Sequence, residues 1–200
     1  MDTKNVLFLL SIILNCRCNC EKRIDCANIR YQFELGVHAF PDLKTLSVGD
    51  TLYLNINDST AQLDRNTNKV VNYSGVVNLG SFINFQQIDS TTRSTKNCLD
   101  KFELIEMDGE KLNNTFHGMG QEYRFTERNN RFLLKIAIVC KQQGVYDIVF
   151  SNSNNTFRSS DRCTKANFDI VFRNKSVNYE LLPWYTGNSQ IGGQYVFEVR

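Results

Sequence analysis

The chain has 200 residues, with 23 Lys or Arg against 21 Asp or Glu and a formal charge of +2 at neutral pH. That balance, with no basic stripe interleaved with aromatics, excludes the nucleic-acid binders. Fourteen Phe, eight Tyr, 23 Asn and only two Pro describe a chain with apolar mass for one domain core and turns built by Asn rather than Pro.

The first element in chain order is an address. Lys4 precedes the apolar run Val6–Leu14, which ends at Asn15-Cys16-Arg-Cys18-Asn-Cys20. A charged start, a short apolar run and a small polar zone are the layout of an export signal. Nine residues are too few to cross a bilayer, which takes about 20. Ile13-Leu14-Asn15-Cys16 matches the aliphatic part of a bacterial lipoprotein signal, with Asn15 where Gly, Ala or Ser is usual. The expectation is a signal over 1–15, a lipid on Cys16, a cysteine-rich tether over 16–28 and a β-domain over 29–200. The protein would then be held at the cell envelope, its membrane contact made by the lipid. Simple cleavage near Asn15 without lipid, giving a secreted protein, is the alternative.

From there to the end the chain alternates with a period of two. Tyr31, Phe33, Leu35 and Val37 share one side of a strand, and Leu52, Leu54 and Ile56 share one side of the next. Ser59–Asn72 is polar and reads as a long loop. Phe132, Leu134, Ile136, Ile138 and Cys140 follow on one face, then Tyr146, Ile148 and Phe150. Phe168, Ile170 and Phe172 come next, and Tyr195, Phe197 and Val199 close the chain. One-sided alternation at strand length is the mark of half-buried β-strands. Gly49-Asp50, Asp108-Gly109, Asn129-Asn130 and Gln142-Gln143-Gly144 separate the runs; Asp108-Gly109 and Asn129-Asn130 read as hairpin turns, since Asn, Asp and Gly tolerate positive φ. No window carries a 3.6-residue apolar stripe. The pattern predicts an all-β, antiparallel, immunoglobulin-like β-sandwich.

Chemistry-bearing residues are sparse. With Cys16 lipidated, six cysteines remain, and six allow 15 pairings. Cys140 and Cys163, which close a loop over a strand pair, are the candidate disulfide. Thiolate ligation by Cys18, Cys20 and Cys26 lacks zinc-ribbon spacing, so no metal and no cofactor is expected. Asp64-Arg-Asn66-Thr-Asn68 has the opening spacing of a calcium loop. Lys69 and Gly75 stand where an EF-hand needs Gly and Glu, so an Asn-rich turn is the better reading. His38 and His117 lie far apart. Glu103 with Glu106 and Asp108 with Glu110 are carboxylate pairs of the kind any polar sheet face carries, and no nucleophile elbow, phosphate loop or zinc-protease motif occurs. The chain therefore reads as no enzyme. Pro183-Trp184-Tyr185, with the only Trp and a following Gly- and amide-rich stretch, suits an aromatic platform for a glycan or a peptide; the competing reading is that Trp184 plugs one end of the sandwich and Tyr185 covers it. Five Asn-x-Ser/Thr triplets start at Asn57, Asn72, Asn113, Asn154 and Asn174, close to the number expected by chance.

Leu46-Ser-Val-Gly-Asp-Thr-Leu-Tyr-Leu54 resembles the strand entry of bacterial immunoglobulin-like surface modules. With the cysteine-rich start, Asp64-Arg-Asn-Thr-Asn68 and Arg162-Cys-Thr-Lys165, the chain resembles small Bacteroidetes envelope lipoproteins. The resemblance implies an envelope location and brings no catalytic residues. The expected role is a non-catalytic binding or structural module whose ligand is a protein or a glycan. A glycan-binding accessory protein using Trp184 and Tyr185, or a secreted disulfide-containing glycoprotein, are the alternatives.

Overall fold

A computed structural model describes residues 30–113, 118–186 and 193–200. The expected signal, Cys16 and the tether lie outside the described residues, as does His117.

Seventeen strands and two short 3-10 turns make up the described chain. In order these are β1 (Arg30–Phe40), β2 (Thr45–Leu46), β3 (Thr51–Ser59), β4 (Ala61–Asp64), β5 (Lys69–Asn72), β6 (Val76–Val77), β7 (Gly80–Asp89), β8 (Ser94–Asn97), β9 (Phe102–Asp108), β10 (Glu110–Lys111), β11 (Gly120–Arg124), β12 (Thr126–Arg128), β13 (Arg131–Cys140), β14 (Gly144–Phe150), β15 (Ser153–Arg158), β16 (Asp161–Phe172) and β17 (Gln194–Val199). The turns are Leu99–Lys101 and Tyr179–Leu181. Sheet A has the order β12-β13-β3-β1-β16-β15-β6, with β9 also on β13; sheet B has the order β10-β11-β7-β14-β17-β2, with β8 on β7. The pairing is mainly antiparallel. The exceptions are β1 beside β16 and β17 beside β2, which run parallel.

The two sheets pack face to face through the residues that alternation picks out. Phe33, Leu35, Val37, Leu52, Leu54, Ile136 and Ile138 from sheet A meet Ile83, Phe85, Tyr146, Ile148, Tyr195 and Phe197 from sheet B, all fully buried. This is the sandwich that period-two patterning predicts. Aromatic rings fill both ends of it. Phe168 has Phe33 at 5.2 Å, Phe132 at 5.8 Å and Tyr73 at 5.9 Å. At the other end Phe102 meets Tyr146 edge-on at 4.8 Å.

Three local expectations change. Ser59–Asn72 is a hairpin, β4 against β5, rather than a loop. Its polar residues mislead because two of them, Gln62 and Asp64, point inward. Asp64 accepts hydrogen bonds from Gln32 N (2.9 Å), Asn66 N (3.3 Å) and Thr67 Oγ1 (2.6 Å). Its carboxylate is thus occupied in anchoring the turn to β1, and the Asn-rich turn reading holds. Asn129-Asn130 does form a hairpin, with φ of 53° and 56°. Asp108-Gly109 does not: β9 pairs with β13 in sheet A and β10 with β11 in sheet B, so the chain changes sheet there, with Gly109 at φ 98°.

The Cys140–Cys163 bond is absent. Cys140 is a buried free thiol, as is Cys98. Cys163 is disulfide-bonded, and neither described thiol is its partner. The register explains why. Phe172 stands beside Val37, Val37 opposite Ile56, and Ile56 opposite Leu134. Cys163 lies nine residues before Phe172 and Cys140 six residues after Leu134, on strands that run the same way. At about 3.3 Å per residue the two occupy opposite ends of sheet A, on the order of 50 Å apart, where a disulfide needs Cα atoms within about 7 Å.

Candidate binding face

The outer faces of the two sheets differ. Residues 173–186, between β16 and β17, run across sheet B. Tyr179 and Leu182 from this strap form a second apolar cluster with Ile88 and Val196. Val177 O accepts from Val196 N at 3.0 Å, and Asn178 Nδ2 donates to Val196 O at 2.8 Å. Sheet A carries apolar side chains that stay in solvent.

The register places four of its residues in one line. Phe40 on β1 pairs with Tyr53 on β3, Tyr53 with Ala137 on β13, and Ala137 with Ile105 on β9. All four face outward, because Ala39, Leu52, Leu54, Ile136 and Ile138 beside them point into the core. Phe40 is 68% exposed and Ile105 45%. Ala137, overlapped by its larger neighbours, leaves the middle of the row low. With strands about 4.8 Å apart the row is roughly 15 Å wide. Thr51, Val139 and Glu103 form the next row on one side, and Asn55, Lys135 and Asp108 the next on the other. Lys135 Nζ lies 5.8 Å from the Tyr53 ring centroid, a cation placed over an aromatic face. Met107, at the register shift between β9 and β13, adds another exposed apolar side chain.

The residues singled out in the sequence lie elsewhere. Trp184 sits on the strap, 40% exposed. Tyr185, its neighbour, packs onto Tyr179 with ring centroids 5.7 Å apart, so it belongs to the cover of sheet B. Beside the strap lies an open cleft of about 460 Å³ lined in part by Glu34, Arg173, Asn174, Asn178 and Tyr185. Its amides are engaged within the chain. Asn174 Oδ1 accepts from Ala39 N and its Nδ2 donates to Ala39 O, both at 2.8 Å, and Arg173 pairs with Glu34. Of the carboxylate pairs, three members are similarly engaged, Asp108 on Arg128 (2.8 Å), Glu110 on Arg124 (3.1 Å) and Glu106 on the backbone N–H of Lys111 (2.7 Å), while Glu103 is exposed on β9. His38 is exposed on the outer side of β1, in the same row as Asn55 and Lys135. No group of three His, Cys, Asp or Glu side chains is placed to hold a metal among the described residues. Asn57, Asn72, Asn113 and Asn154 are exposed, whereas the Asn174 side chain is clamped on Ala39.

No protein-family model matches the chain, and no curated protein matches it in sequence. Among solved structures it is similar to a type II cohesin domain from the cellulosome of Acetivibrio cellulolyticus, at 9% identity and a TM-score of 0.29, over 69% of this chain and 92% of that one. It is also similar to the type II cohesin dyad of the adaptor ScaA scaffoldin from the same organism, at 9% identity and a TM-score of 0.25, over 59% of this chain and 37% of that one.

The exposed row was not singled out from the sequence. Phe40, Tyr53 and Ile105 each sit between inward-facing neighbours and read as single apolar residues on a polar side. Only the strand order, which aligns residues from four distant segments, makes them one surface.

Proposed function

We propose that the chain is a non-catalytic protein-binding module that presents the outer face of sheet A to a partner, and that it is exported and held at the cell envelope by lipid on Cys16. The observation that carries the binding role is the Phe40–Tyr53–Ala137–Ile105 row on four hydrogen-bonded strands, with Phe40 and Ile105 exposed at its ends, Tyr53 half-buried and Ala137 buried between them. Large aromatic and aliphatic side chains on a rigid surface are what interface centres are made of. Lys135 over Tyr53 and the neighbouring Glu103 supply a polar rim. The partner surface is expected to be apolar at its centre, with an acidic group facing Lys135. A protein fits better than a glycan, because the amides of the strap cleft are already hydrogen-bonded within the chain.

The test is capture from the envelope fraction of the source cell with three baits: wild type, Phe40→Asp/Ile105→Asp, and the control Lys96→Glu on exposed β8. A protein retained by wild type and the control but lost from the double variant supports the reading. Equal retention by all three folded baits overturns it. The mass of the mature N-terminal peptide tests the anchor separately: a diacylglyceryl adduct on Cys16 is expected, and an unmodified terminus refutes it.

A further inference from the structure

Asp147 on β14 points away from the sandwich core, since Tyr146 and Ile148 beside it point inward, yet it is only 2% exposed. Gln194 on neighbouring β17 is 5% exposed and donates from Nε2 to Asp147 Oδ2 at 2.5 Å. Three acceptors remain without a hydrogen-bond partner: Asp147 Oδ1, Gln194 Oε1 and Asn84 Oδ1. Asn84 and Gln194 both stand opposite Val149, two residues along β14 from Asp147, so they are its diagonal neighbours on the strands on either side. Acceptors cannot satisfy one another, and a buried acceptor left unpaired is costly. The missing donor is supplied when Asp147 Oδ1 carries a proton.

The strap lies next to this group. Val196 stands directly across from Asp147 and is the residue on which Val177, Asn178, Tyr179 and Leu182 are seated. No charge on the packed elements compensates an ionised Asp147. Glu198 on β17 is paired with Arg200, Glu180 on the strap with Lys44, and Asp89 at the end of β7 is hydrogen-bonded to Thr91 and Thr92. Lys175 on the strap and Lys96 on β8 are exposed. Arg200 holds Glu198 below the usual carboxylate range; Glu180 is held low first by its own backbone N–H and then by Lys44. The Cys98 thiol is pushed up to about 12 by burial. Burial raises Asp147 itself to about 7, against the single hydrogen bond from Gln194.

We propose that Asp147 is a pH-sensitive latch beneath the 173–186 strap, which stays seated while the carboxyl is neutral and lifts from sheet B when it ionises. The proton leaves to solvent, and the bare carboxylate among acceptor oxygens draws water into the site. Water can enter only if Tyr179 and Leu182 move off Val196. This latch is independent of the binding face on sheet A.

Trp184, the only Trp in the chain, rides on the strap and reports its position. Its emission is to be followed between about pH 5 and 9 in wild type and Asp147→Asn. Wild type is expected to show one transition near neutrality, to a more water-exposed spectrum at high pH, and Asp147→Asn to keep the low-pH spectrum throughout. Should Asp147→Asn fail to fold, the Asp147 carboxyl carbon and the Leu181 and Leu182 amides of wild type are expected to titrate together by NMR. Constant Trp184 emission, a transition unchanged in Asp147→Asn, or separate midpoints for carboxyl and strap would each overturn the latch.

Discussion

Phe168 is the residue whose removal tests the account of the core most directly. It sits on β16 with no solvent exposure and touches rings from three directions: Phe33 from the parallel strand, Phe132 from β13, and Tyr73 from the segment after β5. Phe168→Ala deletes a ring from a site that a rigid sheet cannot close over, so the expected loss is about 3–5 kcal/mol. Phe168→Leu keeps most of the apolar volume and gives up the ring-on-ring contacts, each of which adds about 0.5–1.5 kcal/mol beyond area; its expected loss is about 1–2 kcal/mol. A domain this size is stable by roughly 5–15 kcal/mol, so Phe168→Ala still folds at room temperature but with a much lower urea midpoint. Equilibrium urea unfolding reads both variants, with unchanged m values as the sign that the denatured state has not altered. Equal losses for Ala and Leu, or a loss under about 1.5 kcal/mol for Ala, would refute the view that this ring cluster ties three segments together.

Other expectations follow from single groups. Asp147 has a raised pKa in the fold, so the folded state binds more protons between about pH 4 and 7, and stability falls as pH rises through that window. The size is on the order of 4 kcal/mol from a shift of 3.8 to about 7, and urea midpoints across pH should show the fall in wild type and its absence in Asp147→Asn. Asp161, held at about 2 chiefly by the Thr164 hydroxyl and backbone N–H, works in the opposite sense and its contribution is lost only as pH falls below about 4; together they place the stability maximum at mildly acidic pH. Asp64→Ala strands the Gln32 N–H that its carboxylate caps, so a loss of about 1–3 kcal/mol is expected in thermal unfolding. Gly120→Ala would set a methyl 2.2 Å from the Ile83 carbonyl oxygen and 2.9 Å from Asn84 Cα; a loss of about 2 kcal/mol or more is expected, and an unchanged melting temperature would contradict the β7–β11 pairing.

The sandwich was legible where one face of a strand is buried and the other wet. Phe33, Leu35 and Val37, or Tyr195, Phe197 and Val199, all point inward as their alternation requires. β7 is hard to read because the strap covers its outer face too: Ile88 packs outward against it while Ile83 and Phe85 pack inward, and the two-residue period is lost. The β4–β5 hairpin hid behind its polar composition, since its inward residues are Gln62 and Asp64. Asp147, which alternation assigns to a wet face, is buried by a strap whose path no local pattern encodes. Strand order was likewise illegible, and with it both the Cys140–Cys163 separation and the exposed apolar row.

The parallel pairing of β1 with β16 bears on how the chain reaches this state. β1 is an interior strand of sheet A, yet one of its two neighbours, β16, lies far along the sequence. Gln32 bonds Asn167, and Ala39 bonds Asn174, across 135 residues of sequence. Until those residues arrive, β1 has an open edge, and Phe33, Leu35 and Val37 lack the β16 half of their layer. Contacts this remote must be closed against chain entropy before they return any stability, so folding should be slow for a domain of this length. A growing chain truncated before Asp161 carries a strongly apolar β1 with its β16 side unpaired. Until β16 is in place, that open edge is free to pair with other chains.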